Sequence, residues 1–230
     1  LNITPDHLNR HHTMEAYIQA KMDIAKNQTA EDVCVLNYED KVTRNMAEKI
    51  SASVIYFSSA HKLEKGIFLD GDSIIYKPVQ DEEGIFVCKT SDLQILGVHN
   101  YENVMAAVAM AAAYGVDMDI IRHTVTSFKG VEHRIEFVAE KDGVIYYNDS
   151  KGTNPDAAIK GIQAMVRPTI LIGGGYDKQS DFHDWIRSFD GKVRYLVLIG
   201  ATREQIQKEA AECGFTNCIL RDTFEEALDT

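Results

Sequence analysis

Cysteine, proline and tryptophan are all scarce here, with four, four and one among 230 residues. Few prolines leave room for unbroken helices and strands, since each proline removes a backbone donor. Cys34, Cys88, Cys213 and Cys218 form no CxxC pair and show no zinc spacing. That argues against a disulfide framework or a structural zinc site, and fits free thiols, with Cys34 and Cys88 buried, in a reducing, cytoplasmic setting. Basic charge is also in deficit. The 24 Lys and Arg stand against 35 Asp and Glu, a net charge of −11. Nucleic acid and anionic membranes need a basic surface, so neither is expected as a partner. Any anionic ligand must be held by a local cluster. No apolar run reaches the length of a membrane span, and no secretory signal is visible. Nowhere does GxxxxGK[ST] occur, so the backbone cradle of a phosphate loop is missing.

What remains is ordinary for a soluble globular chain: 45% hydrophobic and 26% charged residues. The length suits one large domain or two small ones. A polar opening segment carries Asp6 and His7. The spacing of Met14, Tyr17, Ile18, Met22, Ile24 and Ala25 predicts a helix over 13–27, capped by Thr13, with Lys21 in its middle. Val33-Cys34-Val35-Leu36-Asn37 and Val54-Ile55-Tyr56-Phe57 read as buried strands around a helix at 41–50, the alternation of a mostly parallel sheet. Then Asp70-Gly71-Asp72 marks a hairpin, and Gly84-Ile85-Phe86-Val87-Cys88 supplies a third antiparallel strand. A helix rich in Ala and Met opens at His99-Asn100-Tyr101-Glu102-Asn103, with Asn100 as N-cap, and ends near Tyr114-Gly115. Another runs through Ile120, Ile121, Val125 and Phe128. We expect domains at 1–131 and 132–230. From His133 strand–helix alternation resumes, with strands expected at 134–140, 144–149, 168–173, 193–199 and 217–220 and a helix capped by Thr202, a Rossmann-like pattern.

The most informative stretch is Asn148-Asp149-Ser150-Lys151-Gly152-Thr153-Asn154-Pro155. It follows the strand-like Val144-Ile145-Tyr146-Tyr147 and precedes a helical pattern with Asn154 or Thr153 as cap and Pro155 at the first helical position. A carboxylate, hydroxyls and a lysine thus meet where a strand hands over to a helix, the edge at which α/β sheets bind ligands and helix N-termini favour anions. A second such junction, Gly173-Gly174-Gly175-Tyr176-Asp177-Lys178, lies one step on. Its glycines lack the third member of GxGxxG, so a dinucleotide site is disfavoured.

These two junctions, with Asp181-Phe182, resemble the Mur ligases, and among them the members that add D-glutamate to UDP-N-acetylmuramoyl-L-alanine. The resemblance extends over nearly the whole chain. It implies an α/β architecture: part of a P-loop-type ATPase domain, with a mostly parallel sheet and a small antiparallel one, followed by a Rossmann-like domain. It also implies a monomeric, ADP-forming ligase using ATP and Mg²⁺ through an acyl phosphate in peptidoglycan precursor synthesis. The string LNITPDHLNRH is similar to a family segment whose histidine, here His7, ligates magnesium. Tyr17-Ile18-Gln19-Ala20-Lys21 is similar to the helix whose lysine becomes a carbamate, so Lys21 is a second expected metal ligand. Asn9 stands where the family often has Asp.

By the same resemblance Asn100 and Asn103 face adenine, Arg134 meets the phosphates and ribose, and Asp149 contacts ribose or phosphates. Lys151 would steady the phosphoryl group, while Ser150, Thr153 and Lys178 would serve D-glutamate. The family carries its phosphate loop upstream of the segment matched by Leu1, and a last substrate loop beyond Thr230. The expectation is therefore a piece that forms no ADP by itself. Two alternatives stand beside it: a non-catalytic binding module built from ligase parts, and a ligase adding glutamate to folates, against which the 148–154 junction speaks.

Overall fold

The computed structural model describes residues 2–5, 8–176 and 180–230, with backbone alone at 8 and 9. His7 and Lys178 therefore lie outside the described residues. Two compact units are present, Leu1–Gly130 and Val131–Thr230.

Unit 1 begins with α1 (Leu8–His11) and α2 (Met14–Met22). Thr13 caps α2 as its sequence suggests, accepting from Ala16 N at 3.2 Å. The helix is shorter than expected, since residues 23–25 tighten into a 3-10 turn. Next come β1 (Val33–Asn37), α3 (Lys41–Ala47) and β2 (Ser53–Ser58). Asp40 caps α3 by accepting from the Val42 and Thr43 amides, and the helix stops three residues before the expected end. β3 (Gly66–Asp70), β4 (Ser73–Lys77) and β5 (Ile85–Lys89) follow. They complete a five-stranded sheet in the order β1-β2-β3-β4-β5, parallel across the first three strands and antiparallel after them. This is the expected mixture of a parallel sheet with a small antiparallel part.

Helix α4 (Val98–Ala113) lies on β1, β2 and β3, and α5 (Met118–Ser127) packs beside it. Met105, Val108 and Ala109 of α4 are fully buried with Phe57, Ile67 and Ile74 of the sheet. The larger of these side chains each contribute roughly 1.5–3 kcal/mol on burial, the Ala109 methyl less. The N-cap of α4 corrects the sequence reading. It is Gly97, at φ 93, and Asn100 lies inside the first turn.

Unit 2 opens with β6 (Glu136–Lys141) and β7 (Val144–Asn148). These were expected to join a run of strand–helix units, yet they form a separate antiparallel pair. The cause is local. Asp142 (φ 53) and Gly143 (φ 78) both adopt the left-handed backbone of a type I′ turn, which folds β7 directly back on β6.

The remaining elements do alternate: α6 (Pro155–Ala164), β8 (Thr169–Gly174), α7 (His183–Arg187), β9 (Val193–Ile199), α8 (Arg203–Glu212), β10 (Cys218–Leu220) and α9 (Phe224–Leu228). The strands make a parallel sheet in the order β10-β9-β8. Its core joins Leu196, Leu198, Ile206 and Ile162 to Trp185, Ile186 and Phe189. Thr202 precedes α8, but its side chain makes no cap bond there; buried, it reaches the Gly175 carbonyl at 3.3 Å instead. Among the described residues no helix is long and apolar enough to cross a membrane.

Candidate functional site

In unit 2 the candidate site is built on the turn between β7 and α6. Asn154 is the N-cap of α6, accepting from Ala157 N at 2.8 Å, and Pro155 takes the first helical position. Upstream, Asn148 Oδ1 accepts from Ser150 N at 3.0 Å, and the Gly152 amide donates to the Asp149 carbonyl at 2.8 Å. Ser150, Lys151 and Thr153 are exposed along this turn, while Asp149 is half-buried.

This turn grips another. His133 (φ 66) and Ile135 (φ 46) flank Arg134 with left-handed backbones. For a β-branched residue such as isoleucine that is an outlier, worth on the order of 1–3 kcal/mol of strain. Four contacts hold it. His133 N donates to Glu136 Oε2 at 2.8 Å, and Lys151 N donates to the His133 carbonyl at 2.9 Å. Asn148 Nδ2 meets the His133 ring at 2.9 Å, and Ile135 N donates to Asp149 Oδ1 at 3.1 Å. Burial raises the pKa of Asp149 above its ordinary value, opposed by the Ile135 amide and the nearby Arg134 charge. Two glycines shape the notch around the second oxygen. A Cβ at Gly161 would stand 2.6 Å from Asp149 Oδ2, and one at Gly152 would stand 3.0 Å away.

Unit 1 carries its own polar groups at the carboxyl ends of β1 and β2. Asn100 is buried and donates through Nδ2 to the Leu96 carbonyl at 2.7 Å, while its Oδ1 accepts from Asn103 Nδ2 at 3.3 Å. The two asparagines are thus brought together, with Asn103 the more exposed. Lys21 is exposed on α2, its ammonium 5.2 Å from the centre of the buried Tyr17 ring.

Sequence reading passed over several groups here. Glu39 accepts from the Ser58 hydroxyl and lies 3.0 Å from His61 Nδ1, and Ser59 Oγ donates to Glu102 at 2.6 Å. Burial works against charge on Glu39, yet the bonds from Ser58 and His61 hold its pKa below the ordinary value. The signal was present in the polar residues that follow two adjacent strands, Asn37-Tyr38-Glu39 and Ser58-Ser59.

A second cluster in unit 2 also escaped the sequence reading. Asp181, His183 and Glu209 offer ligand atoms within 4.8 Å of one another. His183 Nδ1 is 2.7 Å from Asp181 and 3.6 Å from Glu209, and Nε2 is 3.0 Å from Glu212. One imidazolium among three carboxylates accounts for the grouping, and the Asp181 and Glu212 bonds raise the His183 pKa.

This architecture has solved counterparts. MurF from Acinetobacter baumannii superposes with a TM-score of 0.72 at 23% identity, over 99% of this chain and 51% of that one, a likeness that shows the fold. Residues 1–111 match the Mur ligase middle domain, and residues 133–230 match the Mur ligase glutamate ligase domain. The chain belongs to the Mur ligases.

Among its relatives, the UDP-N-acetylmuramoylalanine--D-glutamate ligase of Lachnoclostridium phytofermentans is 60% identical over 229 residues, covering 100% of this chain and 50% of the relative. The ligase of the same description from Lachnospira eligens is 52% identical with the same coverage. The chain therefore spans about half the length of the curated relatives it matches.

Proposed function

We propose that this chain forms the later part of the nucleotide-binding domain (1–131) and the glutamate-accepting domain (132–230) of a cytoplasmic, ADP-forming ligase. That ligase joins D-glutamate to UDP-N-acetylmuramoyl-L-alanine in peptidoglycan precursor synthesis. The observation that carries this reading is 60% identity, across the whole chain, to a ligase of that description. The same identity weighs against the folate-directed alternative.

In this chemistry ATP transfers its γ-phosphoryl group to the substrate carboxylate, and ADP leaves. The amine of D-glutamate then attacks the acyl carbon, an N–C bond forms, inorganic phosphate departs and the amine loses a proton. Charge gathers on the phosphoryl oxygens, so positioned cations lower the barrier. Arg134 supplies a planar fork suited to phosphate oxygens, and Lys151, exposed on the neighbouring turn, supplies a point charge. Asn103, oriented by Asn100, meets the adenine. Ser150, Thr153 and Lys178 serve the incoming D-glutamate.

Lys21 is exposed on α2 with its Nζ 5.2 Å from the centre of the Tyr17 ring, and its likeness to the family's carbamylated lysine is what supports uptake of CO₂ there. As a carbamate it would give Mg²⁺ the oxygen donors that a hard cation prefers, with His7 as the other protein ligand. The bound ion would supply charge neutralisation at the phosphates.

The test restores to this chain the flanking parts of the full-length ligase, upstream and downstream, and measures ADP release. Release is expected only with ATP, UDP-N-acetylmuramoyl-L-alanine and D-glutamate together, and none from the 230-residue chain alone. Release that instead requires a folate and L-glutamate would overturn the assignment.

A further inference from the structure

In unit 1 helix α4 begins at Gly97, which has no side chain with which to cap it. Its opening turns carry Asn100, Tyr101, Glu102 and Asn103 in succession. Asn100 is fixed from within the helix, donating through Nδ2 to the Leu96 carbonyl at 2.7 Å. Asn103 donates in turn to Asn100 Oδ1, at 3.3 Å. That bond is long and joins two neutral amides, so it holds Asn103 only weakly. Where Asn103 points then depends on how firmly these turns are seated on the sheet. Apolar burial seats α4 further along, at Met105, Val108 and Ala109.

At the opening turns a polar contact takes over. Ser59 Oγ donates to the half-buried Glu102 carboxylate at 2.6 Å, from the loop that leaves β2. Bonds to a charged acceptor are roughly twice as strong as neutral ones. Ser59 is itself anchored through its neighbours. Ser58 is fully buried, and its hydroxyl donates to Glu39 at the end of β1. The same Ser58 oxygen accepts from His61 N at 2.7 Å, and His61 Nδ1 lies 3.0 Å from Glu39. Residues 58–61 are thus tied to the end of β1. The Ser59–Glu102 bond carries that anchorage across to α4.

We propose that Glu102 is a positioning residue for the nucleotide: through its bond with Ser59 it fixes the turn of α4 from which Asn103 meets the adenine. The proposal rests on the ligase reading above, in which Asn103 has that role. Adenine is then held by a turn referenced to the ends of β1 and β2.

The test uses the full-length ligase, with kcat, KM for ATP and KM for D-glutamate measured separately. Ser59→Ala and Glu102→Ala each delete the bond from one side, whereas Glu102→Gln keeps an acceptor oxygen. Each Ala variant should raise KM for ATP about fivefold or more, and Glu102→Gln no more than about twofold. In both Ala variants kcat and KM for D-glutamate should stay within about twofold of wild type. One bond can be broken only once, so the Ser59→Ala/Glu102→Ala double variant should be no worse than either single. In an Asn103→Ala background, either Ala substitution should cost less than about twofold.

Losses that add in the double variant would overturn the proposal, since that is the result if either side chain touches the nucleotide by itself. So would losses that persist in the Asn103→Ala background, or a Gln variant as impaired as Ala. An unchanged KM for ATP in the Ala variants, with only a lowered melting temperature, would show that the bond serves stability alone and would also overturn it. Should Glu102→Ala fail to fold, Ser59→Ala and Glu102→Gln decide by the same criteria. A wild-type enzyme that releases no ADP with the three substrates would instead refute the ligase reading, leaving the two failures distinct.

Discussion

The chain makes the same kind of hairpin twice and places it in opposite surroundings. In unit 1, β3 and β4 turn at Gly71-Asp72 and lie between β2 and β5, so Ile67, Phe68, Ile74 and Tyr76 are buried. In unit 2, β6 and β7 turn at Asp142-Gly143 and form a sheet of their own, leaving Phe137, Val138, Val144 and Tyr146 exposed. A lone two-stranded ribbon is marginal in water. The second hairpin is therefore held chiefly at its open end, where the Asn148–Lys151 stretch clamps the His133–Ile135 turn. One hairpin is a wall of a core, and the other is an arm that presents polar groups. Similar strands serve either end, depending on what packs against them.

The largest effect that separates the two concerns their side chains. Ile74→Ala removes a fully buried side chain from β4, and about 2–5 kcal/mol of stability should go with it. Val144 is 53% exposed on β7, and Val144→Ala should stay within about 0.5 kcal/mol. Urea unfolding of both variants checks this. Comparable losses would mean that the second hairpin is packed as tightly as the first.

A smaller effect probes the turns. Gly143 is at φ 78 and Gly71 at φ 60, and a Cβ at either meets nothing within 4 Å. Alanine at either position should therefore cost about 1–2 kcal/mol from backbone strain alone. Asparagine tolerates the left-handed region, so Gly143→Asn should recover most of the loss in a thermal melt. If Asn is no better than Ala, crowding rather than φ governs that turn.

The smallest effect lies in how unit 2 supplements its three-stranded core. His183 joins the start of α7 to Glu209 and Glu212 of α8, and its pKa is raised by Asp181 first and Glu212 second. Because the folded state binds this proton more tightly, the contribution is complete below the ordinary histidine value near 6.5. It fades as pH rises through the raised folded value. The melting-temperature gap between wild type and His183→Gln should accordingly narrow as pH climbs from 6 toward 9. A gap independent of pH would show that His183 acts by packing and not by charge.

Much of the candidate site was legible where the code is local. Asn154 as cap, Pro155 at the first helical position and Thr13 on α2 all follow from backbone groups satisfied within three residues. An Asp-Gly turn announced the first hairpin; Asp142-Gly143 carries the same signal, but the sequence reading places β6 and β7 in a strand–helix run instead of pairing them. Asn100 was misread as a cap for a related reason. Asparagine suits that role, but Gly97 at φ 93 starts the helix three residues earlier, and the buried amide goes to Leu96.

What the sequence by itself determined, then, is most of the elements, several of their caps and the family: periodicity, caps and turns depend on neighbours a few bonds away, and motifs on residue order. Tertiary structure alone decided that Asp149 turns to an amide fourteen residues upstream, that Gly161 is small for the sake of that carboxylate, and that Glu39 meets Ser58 and His61. The physical reason is that hydrogen-bonding side chains go to whichever partner the packed chain brings within about 3 Å. That partner is chosen by how strands and helices stack, not by the residues alongside.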